Sequence, residues 1–257
     1  MSVNEREFYT QQNKKAKAHN SYYHFTNLET LAHIVSDQSI RLSQLKKFND
    51  PVEEERALPL YKNKVFTLCF THHINETIPM WKIYANDKMG LSLRFDNLDF
   101  LEDKSNYLGI EKGWEVRDAT LLDVLYDDDL SKFELNSSTV GEDLPNAVFS
   151  TCIGFAKTKI WEYEQETRLR CYIDVEKGNP SVSISKNKFG VSTKYNYPNF
   201  DYIYCTIPPA ILHKMKVVFN PFMDSVRKDI VKATVKMFLP DYPSDHFLNS
   251  HLEGRIR

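Results

Sequence analysis

The run Trp161-Glu162-Tyr163-Glu164-Gln165-Glu166-Thr167-Arg168 constrains this chain more than any other stretch. It continues into Leu169-Arg170-Cys171-Tyr172-Ile173, and the turn residues Lys177-Gly178-Asn179-Pro180 stop it. Read as a strand, alternate residues share a face. Trp161, Tyr163, Gln165, Thr167, Leu169, Cys171 and Ile173 make a mostly apolar face. Glu162, Glu164, Glu166, Arg168, Arg170 and Tyr172 make a charged one. Three carboxylates roughly 7 Å apart repel one another, and the pKa of one can rise. A strand does not need that for stability. The run is therefore either a solvated edge steadied by Arg168 and Arg170, or part of a site.

Composition sets the limits. The 257 residues make one large domain or two small ones. A net charge of -2 gives no global pull toward nucleic acid or a membrane surface, although local clusters can still hold small anions. Cys69, Cys152, Cys171 and Cys205 are far apart and form no C-x-x-C pair, so they read as reduced core residues. The polar N-terminus has no apolar signal region, and no apolar run approaches a membrane span. The expected location is the cytoplasm.

Along the chain, residues 1–20 read as a polar N-terminal arm, short helix or loose. Tyr22 to Thr26 form a strand. Thr26 and Glu29 have capping-box spacing, and Leu28, Leu31, Ile34 and Val35 give a helix over 27–37. Strands follow at 40–43, 65–71 and 91–95. The turn Phe48-Asn49-Asp50-Pro51 precedes Glu53, Glu54, Glu55 and Arg56 on a short helix. Thr77 caps a helix with Pro79 in its first turn, and Met80, Trp81 and Tyr84 share one side of it. That stripe is either core or a ligand wall. His72-His73 suggests a metal, but neighbouring side chains point apart and no third ligand is spaced nearby. Residues 96–145 are acidic and loop-rich, with one strand at 121–126 and a solvated turn at Asp127-Asp128-Asp129. Residues 146–157 read as a helix or strand leading into the Glu-rich run. Strands are expected at 181–185, 202–207 and 216–219. Asn220 and Pro221 then open a helix that buries Phe222, Val226, Ile230, Thr234 and Met237 and ends at Pro240. Residues 241–257 read as a tail. This order gives an α+β fold, with a single domain over 21–240.

Several separated pieces together resemble a mainly bacterial family, the domain of unknown function 2971. They are Tyr23-His24-Phe25-Thr26, Phe48-Asn49-Asp50-Pro51 with Glu53, Met80-Trp81 with Tyr84 and Gly90, and Trp161 with Tyr163-Glu164 and Glu166-Thr167-Arg168. The order of these motifs is also similar to the ADP-ribosyltransferase fold, in particular its DNA-targeting toxin and RNA 2′-phosphotransferase branches. That resemblance implies two small, mostly antiparallel sheets forming a central cleft, with peripheral helices. It implies NAD as substrate, and a role as a toxin or phage-defence effector. It assigns His24, with Thr26 beside it, to the adenosine ribose. It assigns Phe70-Thr71 to the end of the second motif, Trp81 or Tyr84 to stacking on nicotinamide, and Glu166, less closely Glu164, to catalysis. Arg168 and Arg170, which would keep the carboxylates ionised or bind the diphosphate, and Arg41 become candidates for the diphosphate. Neither the resemblance nor the residues name the acceptor, which can be protein, nucleic acid or water.

Two other functions fit the residues. One is a non-catalytic module that senses a nucleotide or pairs with a protein, its carboxylates forming a charge network with Arg168 and Arg170. The other is a metal-dependent nuclease built on Glu162, Glu164 and Glu166, with Asp50 and Glu53. The modest basic content argues against the nuclease.

Overall fold

The structure is a computed structural model that describes residues 3–47, 63–72, 76–85, 89–129, 154–176, 182–187 and 190–255, the side chains of 3–6 and 182–195 excepted. The expected turn at 48–51, the helix at Glu53 to Arg56, His73, Cys152 and most of 146–157 lie outside the described residues.

Strand β3, Val65–Thr71, is the hub of a ten-stranded, mostly antiparallel sheet. One face is Phe66, Leu68 and Phe70, the other alternates Val65 and Cys69 with Thr67 and Thr71, and the strand is buried along nearly its whole length, as a central strand must be. On one side it pairs with β9, Glu166–Val175, over all seven of its residues, from Val65↔Tyr172 to Thr71↔Glu166. On its other side two strands share it. β2, Ser39–Gln44, pairs only near its start, at Thr67 and Phe66. β1, Tyr22–Asn27, pairs only at its end, at Thr71. The sheet therefore splits beside Leu68, Cys69 and Phe70.

Each side of the split carries a wing. β1 continues antiparallel into β4, Gly90–Phe95, then β13, Lys216–Phe219, and finally β14, Phe247–Asn249, the last pair parallel. β2 continues into β12, Tyr202–Thr206, and β5, Tyr107–Leu108. Beyond β9 lies β6, Trp114–Asp123. Two short pairs complete the strands, β7 (Leu125–Tyr126) with β8 (Ala156–Lys157), and β10 (Val182–Asn187) with β11 (Gly190–Tyr195). The architecture is α+β as expected, but the two small sheets are wings of one hydrogen-bonded sheet joined through β3.

Helix α2, Leu28–Asp37, connects β1 to β2 and buries Leu31, Ile34 and Val35. Its cap is Asn27, whose side chain accepts from the Thr30 N–H, one residue beyond the expected Thr26. Helix α3, Ile78–Tyr84, starts after Thr77 with Pro79 in its first turn. Gly90, the first residue of β4, packs directly against the end of this helix: a Cβ there would lie 2.3 Å from the Ala85 carbonyl oxygen.

Four expectations need correction. Residues 3–16 form helix α1, Val3–Ala16, which is anchored to the sheet: Ala16 is buried and its carbonyl accepts from the Tyr22 hydroxyl. The expected tail contributes buried Tyr242 and strand β14. The strand near 121 begins at Trp114, and mixed charge masked its first half. The final helix, α5, runs Ser225–Phe238 after the short α4, Pro209–Lys214. It is capped by Asp224 and buries Val231 and Val235, whereas Val226 and Met237 are 67% and 74% exposed. Two apolar stripes run along that helix, and periodicity alone cannot choose between them.

Candidate functional site

A cavity of about 380 Å³ occupies the split in the sheet, within the range of small-molecule sites. β1 and α2 supply Tyr23, His24, Phe25, Thr26, Asn27 and Thr30, and β2 supplies Arg41. The unpaired side of β3 supplies Leu68, Cys69, Phe70 and Thr71. The far wall is Met80 and Tyr84 of α3, with Lys157, Trp161, Glu164, Glu166 and Arg168.

His24 bridges the split. Its Nδ1 lies 2.9 Å from the Cys69 carbonyl oxygen, a group left without a strand partner on that side. A carbonyl only accepts, so Nδ1 donates. Burial lowers the His24 pKa below its usual 6.5, and nearby Arg41 adds to this. The ring is therefore a neutral imidazole whose Nε2 can accept a hydrogen bond. Arg41 stands exposed at the rim, its guanidinium 4.5 Å from the centre of the Tyr202 ring.

The Glu-rich run differs from the expected strand. Lys159–Glu164 is a 3-10 turn, Gln165 takes left-handed backbone at φ 40°, and β9 begins only at Glu166. The charged face is not wet: Glu164, Glu166, Arg168 and Arg170 are all buried. Glu162 alone of the three glutamates is exposed, away from the cavity. The kink brings Glu164 and Glu166 to one cation, Lys157, whose Nζ lies 2.6 Å and 2.9 Å from their Oε2 atoms. Arg168 grips Glu166 with two bonds of 2.9 Å, from Nε to Oε1 and from Nη2 to Oε2, and Arg168 Nη1 donates to the Gly154 carbonyl at 2.7 Å. Burial alone would raise the Glu166 carboxyl. Arg168 and Lys157 outweigh it and hold the group at about 2, so like-charge repulsion does not protonate it. The Tyr84 hydroxyl donates to Glu164 Oε1 and is pushed up in pKa by burial and that carboxylate. The Glu166 amide donates to the Tyr126 hydroxyl at 3.0 Å. The Cys69 thiol beside Glu166 is raised well above its usual range, by burial and then by that charge, so it stays protonated and is a poor nucleophile.

The cavity thus gathers His24, Thr26, Arg41, Phe70, Thr71, Tyr84, Glu164, Glu166 and Arg168. It does not gather Trp81. That ring is buried on the other side of α3, edge-on to Phe25, with Nε1 donating to Glu76 at 2.9 Å. Arg170 also stays out, packed over Phe155 and 3.9 Å from Asp118. Lys157 and Cys69 belong to the site but carried no signal for it, since a lone lysine in a stretch read only as helix or strand is not distinctive; Trp161, which opens the Glu-rich run, also lines the cavity, though no role was assigned to it. Lys157 also fills the place between the two carboxylates where a nuclease would hold its metal.

Residues 80–169 match the family model described as a protein of unknown function, DUF2971. The match spans about a third of the chain, so that stretch is similar to the family. The DUF2971 match covers the far wall, from Met80 and Tyr84 to Glu166 and Arg168, whereas His24, Arg41 and Cys69 precede it. The family description carries no activity. No curated protein and no solved structure matches the chain. Among the described residues no helix is long and apolar enough to cross a membrane.

Proposed function

We propose that this protein binds NAD in the cleft and breaks the bond between nicotinamide and ribose, passing ADP-ribose to an acceptor or to water. The observation that carries the reading is Glu166: a buried carboxylate, held ionised, lining a cavity beside a neutral imidazole and an aromatic ring. As the glycosidic bond breaks, its electron pair goes to the nicotinamide nitrogen and positive charge grows on the ribose. A fixed anion hydrogen-bonded to the 2′-hydroxyl interacts more strongly at that point than before it, which is differential stabilisation of the transition state. Glu164, held by Tyr84 and Lys157, accepts the proton of the attacking acceptor. Tyr84 supplies a flat wall for the nicotinamide, His24 Nε2 accepts from a ribose hydroxyl, and Arg41 at the rim meets the diphosphate.

The Glu166 oxygens are already heavily engaged, by Arg168, Lys157 and the Cys69 thiol. A ribose hydroxyl must displace one donor, and the thiol, the weakest of them, is the one that yields. That same saturation favours a second reading, a module that binds the nucleotide and does not cleave it. Incubating the purified chain with NAD separates the two. Thermal stabilisation with release of nicotinamide supports the enzyme, and stabilisation without release supports the binding module. No stabilisation and no release overturns both.

A further inference from the structure

A second cluster lies against the opposite face of β9. Thr167 follows Glu166 in the strand, and successive strand residues point to opposite faces. At Thr167 three side chains from separate parts of the chain meet: His19 after α1, His72 after β3 and Asp123 at the end of β6. One candidate ligand atom from each lies within 4.8 Å of the others. His19 Nε2 is 3.0 Å from both Asp123 oxygens, and His72 Nδ1 is 3.7 Å from Oδ1. The two imidazoles lie parallel, 3.8 Å apart between centroids and 2° between planes. The Thr167 hydroxyl donates to Asp123 Oδ1 at 2.7 Å, and His72 Nδ1 lies 2.9 Å from the same hydroxyl oxygen.

We infer that His19, His72 and Asp123 form a binding site for a divalent transition-metal ion. Two imidazoles and one carboxylate make the donor set that suits zinc, iron, cobalt or nickel, and it disfavours magnesium and calcium, which take oxygen ligands. Three protein ligands leave room for water to complete the coordination. Thr167, bonded to two of the three, orients them as outer-shell partners commonly do. Entry is open, since both histidine side chains keep about a fifth of their surface exposed (21% and 20%) while Asp123 is buried at 7%. Lys15 Nζ reaches within 4.0 Å of Asp123, but its side chain is 67% exposed and is free to swing into solvent. On binding, the ion replaces the proton that His19 Nε2 shares with the carboxylate and releases it to solvent. The ion would tie the end of α1 to β3, β6 and β9 at the strand position next to Glu166. This inference is independent of what the cleft binds.

The test uses the full chain, chelator-treated and free of any histidine tag, titrated with Co²⁺ and followed by visible absorption and melting temperature. The expected result is one ion per chain, ligand-field bands displaced by Zn²⁺, a raised melting temperature, and no response to Mg²⁺. His19→Gln and His72→Gln, which keep a polar group near Asp123, should each weaken binding by about a hundredfold or more, at or above the cost of losing an outer-shell partner. Circular dichroism checks that each variant is folded. Absence of Co²⁺ and Zn²⁺ binding in the unaltered chain overturns the site, and so does unchanged binding in both folded variants.

Discussion

Glu164 and Glu166 share one cation: Lys157 Nζ lies 2.6 Å from an oxygen of the first and 2.9 Å from an oxygen of the second. The left-handed Gln165 between them makes this possible, by ending a 3-10 turn and starting β9 in one residue. Two carboxylates that would repel along an open strand are thereby buried together at the head of the cleft. Lys157→Met removes the shared charge and leaves both acids facing each other. Breaking a buried ion pair typically costs about 3–5 kcal/mol. The urea midpoint should fall accordingly, and a loss below about 1 kcal/mol would contradict a structural role for this lysine.

Acid should unfold the protein in two stages. Between an ordinary 4.5 and its folded value of about 2, the Glu166 carboxyl is protonated in the unfolded chain and ionised in the folded one. The unfolded state then binds more protons, so stability is present above about 4.5 and is lost as pH falls through this window. Asp174, lowered by Lys64 against the effect of its burial, acts in the same direction. His24 is also depressed, from 6.5, so its contribution is lost from higher pH, as the solution falls below that value. Urea midpoints measured against pH should decline gently below 6.5 and steeply below 4.5. Glu166→Gln should flatten the lower part of the curve, and a curve unchanged by that substitution would contradict the ionised, paired state of Glu166.

The two aromatic residues of α3 should separate by experiment. Trp81 is core, so Trp81→Leu should cost about 3 kcal/mol of stability and leave nucleotide affinity alone. Tyr84 lines the cleft, so Tyr84→Leu should cost about 1–2 kcal/mol through the unpaired Glu164 oxygen and weaken NAD binding by about tenfold. Calorimetry with both variants checks this, and a reversed pattern would move the ligand wall to Trp81.

Gly90→Ala should destabilise by about 2 kcal/mol or more, because the added methyl meets the Ala85 backbone and no flexible side chain can yield there. Thermal denaturation at neutral pH measures it. A neutral result would mean that the contact between Gly90 and Ala85 relaxes freely.

The parts of the fold legible in the sequence are those where one signal stands alone. β3 and β13 match their expected ends because an apolar, β-branched run has no competing period. The α5 face was misread because Val226, Ile230 and Met237 form a stripe as regular as Val231 and Val235. The Glu-rich run looked like a half-wet strand because alternation does not show that both faces are covered. For the cleft, the motif resemblance pointed to His24, Tyr84 and Glu166. It could not point to Lys157, which becomes informative only when β8 sets it between two acids. His72 likewise gained partners only through folding, from positions 19 and 123.

The central claim is that the carboxylate at 166 serves chemistry as well as packing. The most direct measurement is nicotinamide release from NAD by the unaltered chain and by Glu166→Gln, with circular dichroism showing both folded. The account predicts release by the first and none above background by the second. Equal rates from the two, or no release by the unaltered chain across protein, nucleic-acid and water acceptors, would contradict it.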